Sequence, residues 1–239
     1  MNKNLKLLIA AIYLVVLGSL FFVIFTYFDL KDLSSFTFIK ENSQILIDFK
    51  NSNFVIFSIL YFIFSVLWVL FLGFGSPIAI LSGFIFGKWI GTFICVFSFT
   101  LGSSLLYGLS SYYFADVIKK YLSQKIEKYI NLFKRNEFLY FMIFRLTGGG
   151  GIPFAIQNVL PVIFNMNLKN YAYATFLGLL PTVYIINSLG SGISQYILKN
   201  DSVDYLKIFF DPEIYLPILG FLIILIISFY FRNKIFKKS

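Results

Sequence analysis

The sequence predicts an all-α integral membrane protein with about four full transmembrane helices plus two opposed re-entrant helical hairpins in an inverted repeat. Three observations carry this. Of 239 residues, 59% are hydrophobic and 21% aromatic, while only 13% are charged. Uncharged stretches run over 7–28, 51–87, 89–115, 146–168, 170–198 and 214–231. Two of these, 51–87 and 146–168, are interrupted by clustered glycine and proline. A soluble domain carries about a quarter charged residues, and a core this small cannot hide so large an apolar surplus. A soluble enzyme and a disordered chain are therefore excluded.

The chain contains no histidine and one cysteine, Cys95. An intrachain disulfide, a Cys/His metal site and any hydrolase using a histidine base are excluded. No cofactor, no metal and no enzymatic activity are expected.

The first apolar run, 7–28, has 22 residues, and a spanning helix needs about 20. It is longer than the apolar core of a signal peptide and lacks a small-residue cleavage site, so it reads as an uncleaved first helix. The runs 89–115, 170–198 and 214–231 can each cross once. The polar segments between them sort by sign. Residues 29–50 hold three Lys against four acids, and 199–213 two Lys against four acids. Residues 116–137 hold six basic residues against three acids. Lys3 and Lys6 lie at the N-terminus, and Arg232, Lys234, Lys237 and Lys238 in the tail. Because basic residues accumulate on the cytoplasmic side, both termini and 116–137 are expected in the cytoplasm. The formal net charge of +9 is thus mostly a topology signal, and no nucleic-acid partner is expected.

An odd number of crossings must connect the outer segment ending near Lys50 to the cytoplasmic segment starting at Asp116. One span, 89–113, plus a re-entrant hairpin over 53–87 satisfies this. The hairpin breaks at Gly73-Phe74-Gly75-Ser76-Pro77, with Gly83 and Gly87 later in the returning arm. The second unit repeats the plan from the other face. Hairpin 138–167 breaks at Gly148-Gly149-Gly150-Gly151-Ile152-Pro153, and span 170–196 follows. A shift of 76 residues superposes Pro77 on Pro153, Ala79-Ile80 on Ala155-Ile156 and Leu101-Gly102 on Leu177-Gly178. The chain thus divides into a leading helix and outer amphipathic segment (1–50), a two-unit region (51–198), and an outer loop, last helix and basic tail (199–239). Residues 116–137 also place apolar side chains at helical spacing with lysines between them, the pattern of an amphipathic helix on an anionic leaflet.

Irregular backbone persists at membrane depth only inside protein or along a water-filled cavity. Two breaks therefore predict a polar cavity between the hairpins. Arg145 is the charged residue that no interface explains, since it follows seven apolar residues, 138–144, and precedes the glycine run. Intramembrane charges are costly and usually functional, and a guanidinium binds phosphate bidentately. The expected substrate-binding set is Arg145, Gly149, Gly150, Pro153, Gln157 and Asn158. Thr182, Tyr184 and Asn187 are weaker candidates for the same cavity. No Asp or Glu occurs in 51–87 or 146–168, which disfavours proton coupling unless Asp116 or Glu137 reaches in.

The ordered elements Pro77-Ile-Ala-Ile-Leu-Ser-Gly83-Phe-Ile-Phe-Gly87, Phe141-x-x-x-Arg145, Pro153-Phe-x-x-x-Asn158 and Tyr171-x-x-x-Thr175-x-x-Gly178-x-x-Pro181 resemble the VTT-domain proteins, the DedA and SNARE-associated Golgi protein superfamily. The resemblance covers about residues 50–198. It implies opposed re-entrant hairpins, a bacterial inner membrane, and lipid work: phospholipid scrambling in eukaryotic relatives, undecaprenyl phosphate recycling in some bacterial ones. DedA proper carries acidic residues in the first hairpin and a second arginine beyond the position of Arg145. This chain has neither, so it is more similar to the VTT branch. The resulting expectation is movement of a phospholipid or polyprenyl-phosphate headgroup through a groove between the hairpins, with Arg145 on the phosphate. Membrane lipids, anionic or phosphate-bearing, are the expected partners, and self-association stays open. The alternatives are a non-transporting membrane-homeostasis scaffold and a proton-coupled small-solute transporter.

Overall fold

The computed structural model describes residues 36–71, 74–116, 136–200 and 210–236, with single positions 15, 120 and 133. The run 7–28, Gly73, nearly all of the 116–137 segment and most of the 199–213 loop lie outside the described residues. Every regular element described is helical: α1 (Phe36–Ser52), α2 (Phe54–Leu70), α3 (Gly75–Tyr113), α4 (Glu137–Leu146), α5 (Phe154–Val159), α6 (Leu168–Lys199) and α7 (Pro212–Phe236). Two 3₁₀ turns, Gly148–Gly151 and Leu160–Phe164, flank α5.

Among the described residues, two helices, α3 and α6, are long and apolar enough to cross a membrane. The bent pair of α1 and α2 supplies a third if it counts as one span. The bend between them is 111°. Within α1, Ser43 is buried while Ile45 and Phe49 are exposed, and Lys40 Nζ donates to the Asn200 carbonyl at 2.8 Å. The start of α1 is thereby tied to the end of α6.

Helix α3 is two helices joined at Gly87, whose φ of 77° and ψ of 172° fall in a region essentially closed to residues with a Cβ. The arm before it, 75–86, is one leg of the first broken unit, and 88–113 is its long helix. The second unit is built from α4, a break at 147–153, the α5 arm with its 3₁₀ extension, and α6. The second arm is less regular than the first. Pro161 removes an amide near its middle, and Asn165 closes it in the left-handed conformation at φ 52°.

The 76-residue shift holds in three dimensions. A Cβ on Gly102 would stand 2.7 Å from the Val66 carbonyl oxygen and 3.0 Å from Val69 Cβ. One on Gly178 would stand 2.7 Å from the Met142 carbonyl oxygen and 2.5 Å from Arg145 Cβ. Val66 and Met142 are 76 apart, as are Val69 and Arg145. In each unit the first helix presses its backbone on a glycine of the long helix. Close approach of this kind suits helices whose surroundings are as apolar as their side chains, because packing rather than water release must hold them.

Each arm, by contrast, packs on the long helix of the other unit. Side chains at Gly83 and Gly190 would collide with the Asn187 and Ile80 carbonyls, so arm 75–86 and α6 meet backbone to backbone. The second arm meets α3 through rings and a hydroxyl: Phe154 lies 5.9 Å from Phe99, and Tyr107 OH donates to the Met166 carbonyl at 2.5 Å. Two buried clusters follow from this exchange. One joins Tyr61, Val69, Ala79, Cys95, Phe99 and Val183, and the other Tyr107, Phe141, Val162, Met166, Tyr171 and Ala174.

Gly102→Ala and Gly178→Ala should each lower the unfolding temperature in detergent, by overpacking worth about 1–3 kcal/mol. Gly108→Ala is the control. Nothing lies within 4 Å of its Cβ position, so the gain in helix propensity should leave stability unchanged or raise it by up to about 1 kcal/mol. Equal losses at all three sites would contradict the packing at offset 76.

Candidate functional site

Arg145 is carried by the last turn of α4, a helix whose first turn Asn136 caps by accepting from the Leu139 amide. It is 0% exposed. Nη2 donates to Asn158 Oδ1 at 2.6 Å and to Tyr171 OH at 3.0 Å, and Nη1 donates to Gln157 Oε1 at 3.3 Å. The guanidinium carbon also lies 4.9, 5.3 and 5.8 Å from the ring centres of Phe141, Phe154 and Tyr171. Tyr171 OH donates onward to the Asn158 carbonyl at 3.2 Å, and its ring stacks on Tyr107 at 4.5 Å. Arginine, Asn158 and Tyr171 thus lock α4, α5 and α6 together.

Every described partner of this cation is neutral. Burying an ion costs several kcal/mol unless a counter-charge or enough dipoles offset it. Three amide or hydroxyl oxygens and three ring faces supply dipoles but no negative charge. Arg145 Nε and Asn158 Nδ2 have no partner at all among the described residues. The site thus surrounds a cation with neutral acceptors and leaves two donors, Arg145 Nε and Asn158 Nδ2, over.

The glycine break is held by Gln157. Its Nε2 donates to the Gly148 carbonyl at 3.1 Å and to the Ile152 carbonyl at 2.6 Å, while its Oε1 faces Arg145. Gly148, Gly149 and Gly151 all have positive φ, at 65°, 71° and 86°. Gly149 is also buried, and a Cβ there would collide with the Gln157 amide. Pro153 caps α5 with φ −53° and ψ 140°. Gly150 sits within the 3₁₀ turn.

A cavity of about 290 Å³ opens beside this cluster, and both breaks line it. From the first come Phe74, Gly75 and Ser76, and from the second Arg145, Gly148, Ile152, Phe154 and Gln157. Thr182, beside Pro181 of α6, and Phe221 of α7 close it. The polar side chains come mainly from the second unit, so the cavity is amphipathic rather than polar throughout. Pro77, Gly83 and Gly87 belong to the arm rather than to the lining. Gly83 serves the contact with α6, and Gly87 the kink.

The weaker candidates separate by helix angle. Residues 182, 184 and 187 face different directions on α6. Only Thr182 lines the cavity. Tyr184 packs on Trp89 at 4.8 Å, and Asn187 is buried against Gly91 of α3. Glu137 does not reach in. Its Oε1 accepts from the Asn167 amide at 3.1 Å and from Asn170 Nδ2 at 2.7 Å, fastening the start of α4 to the start of α6. Asp116 is exposed at the far end of α3. Sequence reasoning missed Tyr171, Phe141 and Phe154 as parts of the site. The spacing Phe141 to Arg145, one helical turn, was the available signal.

Gly149→Ala should destabilise more than Gly148→Ala. Both force a left-handed conformation costing about 1–2 kcal/mol, but only Gly149→Ala also drives a methyl into Gln157. Thermal unfolding of the two variants in detergent measures the difference, and an equal or reversed order would contradict the Gln157 latch.

The VTT domain model matches residues 69–192, a span holding both arms, the second break and Arg145. Transmembrane protein 41B of Mus musculus is 27% identical over 174 residues, covering 71% of this chain and 59% of the relative. The Homo sapiens protein of the same name is 28% identical over the same length and the same shares. Transmembrane protein 41 homolog of Dictyostelium discoideum is 25% identical over 175 residues, covering 70% of this chain and 50% of the relative. The chain therefore spans less than two thirds of the length of these curated relatives. No solved structure matches it. With the matched region taking in more than half of its residues, this membrane protein belongs to the VTT-domain family.

Proposed function

We propose that the protein moves lipid from one leaflet to the other, its two broken units being re-entrant hairpins and Arg145 contacting the phosphate of the headgroup. The single observation that carries this reading is the buried guanidinium, which has neutral partners and an unpartnered Nε, on a residue that lines a cavity shared by both breaks. Membership of the VTT-domain family supports a membrane setting for it. In this reading the membrane is a bacterial inner membrane, as the family resemblance implies, and the excess of Lys and Arg near both ends of the chain supports cytoplasmic termini.

The mechanism follows from what each group does. The breaks free backbone groups that would be costly in hydrocarbon and that persist only against protein or a wet cavity. The cavity they enclose offers a headgroup polar contacts on one wall, while the exposed apolar faces of α2 and α3 (Ile59, Ile63, Phe93, Phe97) stay in the tail region. Arg145 lowers the cost of carrying a phosphate through low dielectric, since charges there attract far more strongly than in water. No carboxylate lines the cavity among the described residues, so movement down a gradient needs no proton carrier.

The test is reconstitution into liposomes bearing a fluorescent phospholipid in both leaflets, with dithionite bleaching and an entrapped dye to report leakage. Bleaching should exceed the outer-leaflet share without dye loss, and bleaching that stops at that share would reject leaflet exchange of this lipid. Arg145→Gln keeps a donor for Asn158 and removes the charge. It should fold with a lowered unfolding temperature and fall to the rate of empty vesicles. Wild-type rates from folded Arg145→Gln would remove Arg145 from the pathway.

A further inference from the structure

The first break brings to the cavity the start of a helix. α3 begins at Gly75 with Phe74 as its N-cap, a residue whose side chain accepts no hydrogen bond. The opening amides of a helix have no partner within it, and the aligned peptide dipoles leave that end positive. Pro77 removes one amide and leaves those of Gly75 and Ser76 at the mouth. The end is fixed in place: Trp68 Nε1 donates to the Phe74 carbonyl at 3.0 Å, and Tyr61 OH donates to the Ile78 carbonyl at 2.6 Å. Ser76 itself is exposed.

Arg145, fully buried and with an unpartnered Nε, lines the same cavity from the second unit. The ring of Phe154 fills the space between. It lies 3.7 Å from the Cβ position of Gly75 and 5.3 Å from the guanidinium carbon. Two positive ends, one from each unit, thus both approach one aromatic side chain, with no acid among the described residues that line the cavity.

We infer that the cavity is a two-sided phosphate clamp, in which a phosphomonoester or phosphodiester headgroup takes the place of the Phe154 ring and is held by Arg145 on one side and by the Gly75 and Ser76 amides on the other. Such an arrangement uses the ready-made anion affinity of a helix N-terminus. It rests on the transport reading above and adds to it the first-unit residues that bind. It also gives the first unit a binding role without an ionisable group. Because the ligand touches both units, its binding draws the two breaks together.

Ser76→Asp separates this from a merely structural role. A carboxylate in the first turn is favoured by the helix dipole, so folding should be kept or improved, yet it occupies and repels at the anion position. The full chain carries two tryptophans, and Trp89→Phe leaves Trp68, which touches Phe74, as the reporter. In that background and a neutral detergent, dihexanoyl phosphatidate should change Trp68 fluorescence saturably. Ser76→Asp and Arg145→Gln should each weaken binding about tenfold or more, and Phe154→Ala should tighten it. Inorganic phosphate should bind about tenfold more weakly than the lipid, lacking the apolar contacts. Equal affinity for the two would assign the site to free phosphate and overturn the lipid headgroup. If Ser76→Asp binds as the parent does while Arg145→Gln is weakened, the clamp is wrong and the Arg145 reading stands. No saturable response to either probe would overturn the clamp outright, and the leaflet assay then decides the transport reading by itself.

Discussion

The structure depends on one buried positive charge. Arg145 reaches Gln157, Asn158 and Tyr171 from the end of a ten-residue helix, and those three side chains come from the arm and the long helix of its unit. Hydrogen bonds to charged groups are worth about 1.5–3 kcal/mol each, so the guanidinium is the tie that lets a short α4 hold its place against α6. The same contacts fix Asn158 and Gln157, and Gln157 in turn closes the glycine turn by donating to the Gly148 and Ile152 carbonyls. Remove the cation and a chain of oriented dipoles loses its reason to point inward.

Much of this was legible beforehand, for physical reasons. Glycine and proline mark where helical hydrogen bonding must stop, so both breaks could be seen without coordinates. A charge seven residues deep in an apolar run has to be buried or paired, so Arg145 stood out. The shift of 76 residues was readable because backbone-to-backbone contact tolerates only glycine, which keeps Gly102 and Gly178 in register. Tyr171 stood in the family pattern, but its part in the site was not legible. Beside Lys169 and Tyr173 it reads as an interfacial aromatic, and nothing local shows that its ring is sandwiched between Tyr107 and Phe141. Nor could the sequence separate Thr182 from Asn187, because which face of α6 meets the cavity depends on how the arms cross. The exchange of arms between units is likewise a property of the tertiary fold alone.

The repeat also shows where symmetry stops. Under the same shift, Arg145, Asn158 and Tyr171 correspond to Val69, Ser82 and Cys95. All six are 0% exposed. The first unit therefore preserves the burial of the cluster and replaces its chemistry with small or apolar groups. Ser82 turns to the Gly91 carbonyl at 3.1 Å, an internal contact that satisfies the bend near Gly87. Packing is shared between the units, and charge is not.

That difference has an electrostatic basis. Two guanidinium groups in symmetric positions around a cavity of about 290 Å³ would repel strongly in low dielectric, with no acid among its lining residues to offset them. A valine in the first position removes the conflict, and the partial positive charge of the α3 terminus remains on that side, weak enough to coexist with Arg145 when the cavity is empty. Under the proposed function, a full charge on one wall and a fractional one on the other would attract an anion less tightly than two full charges. In the proposed reading, the unequal halves of the repeat would then favour passage over storage.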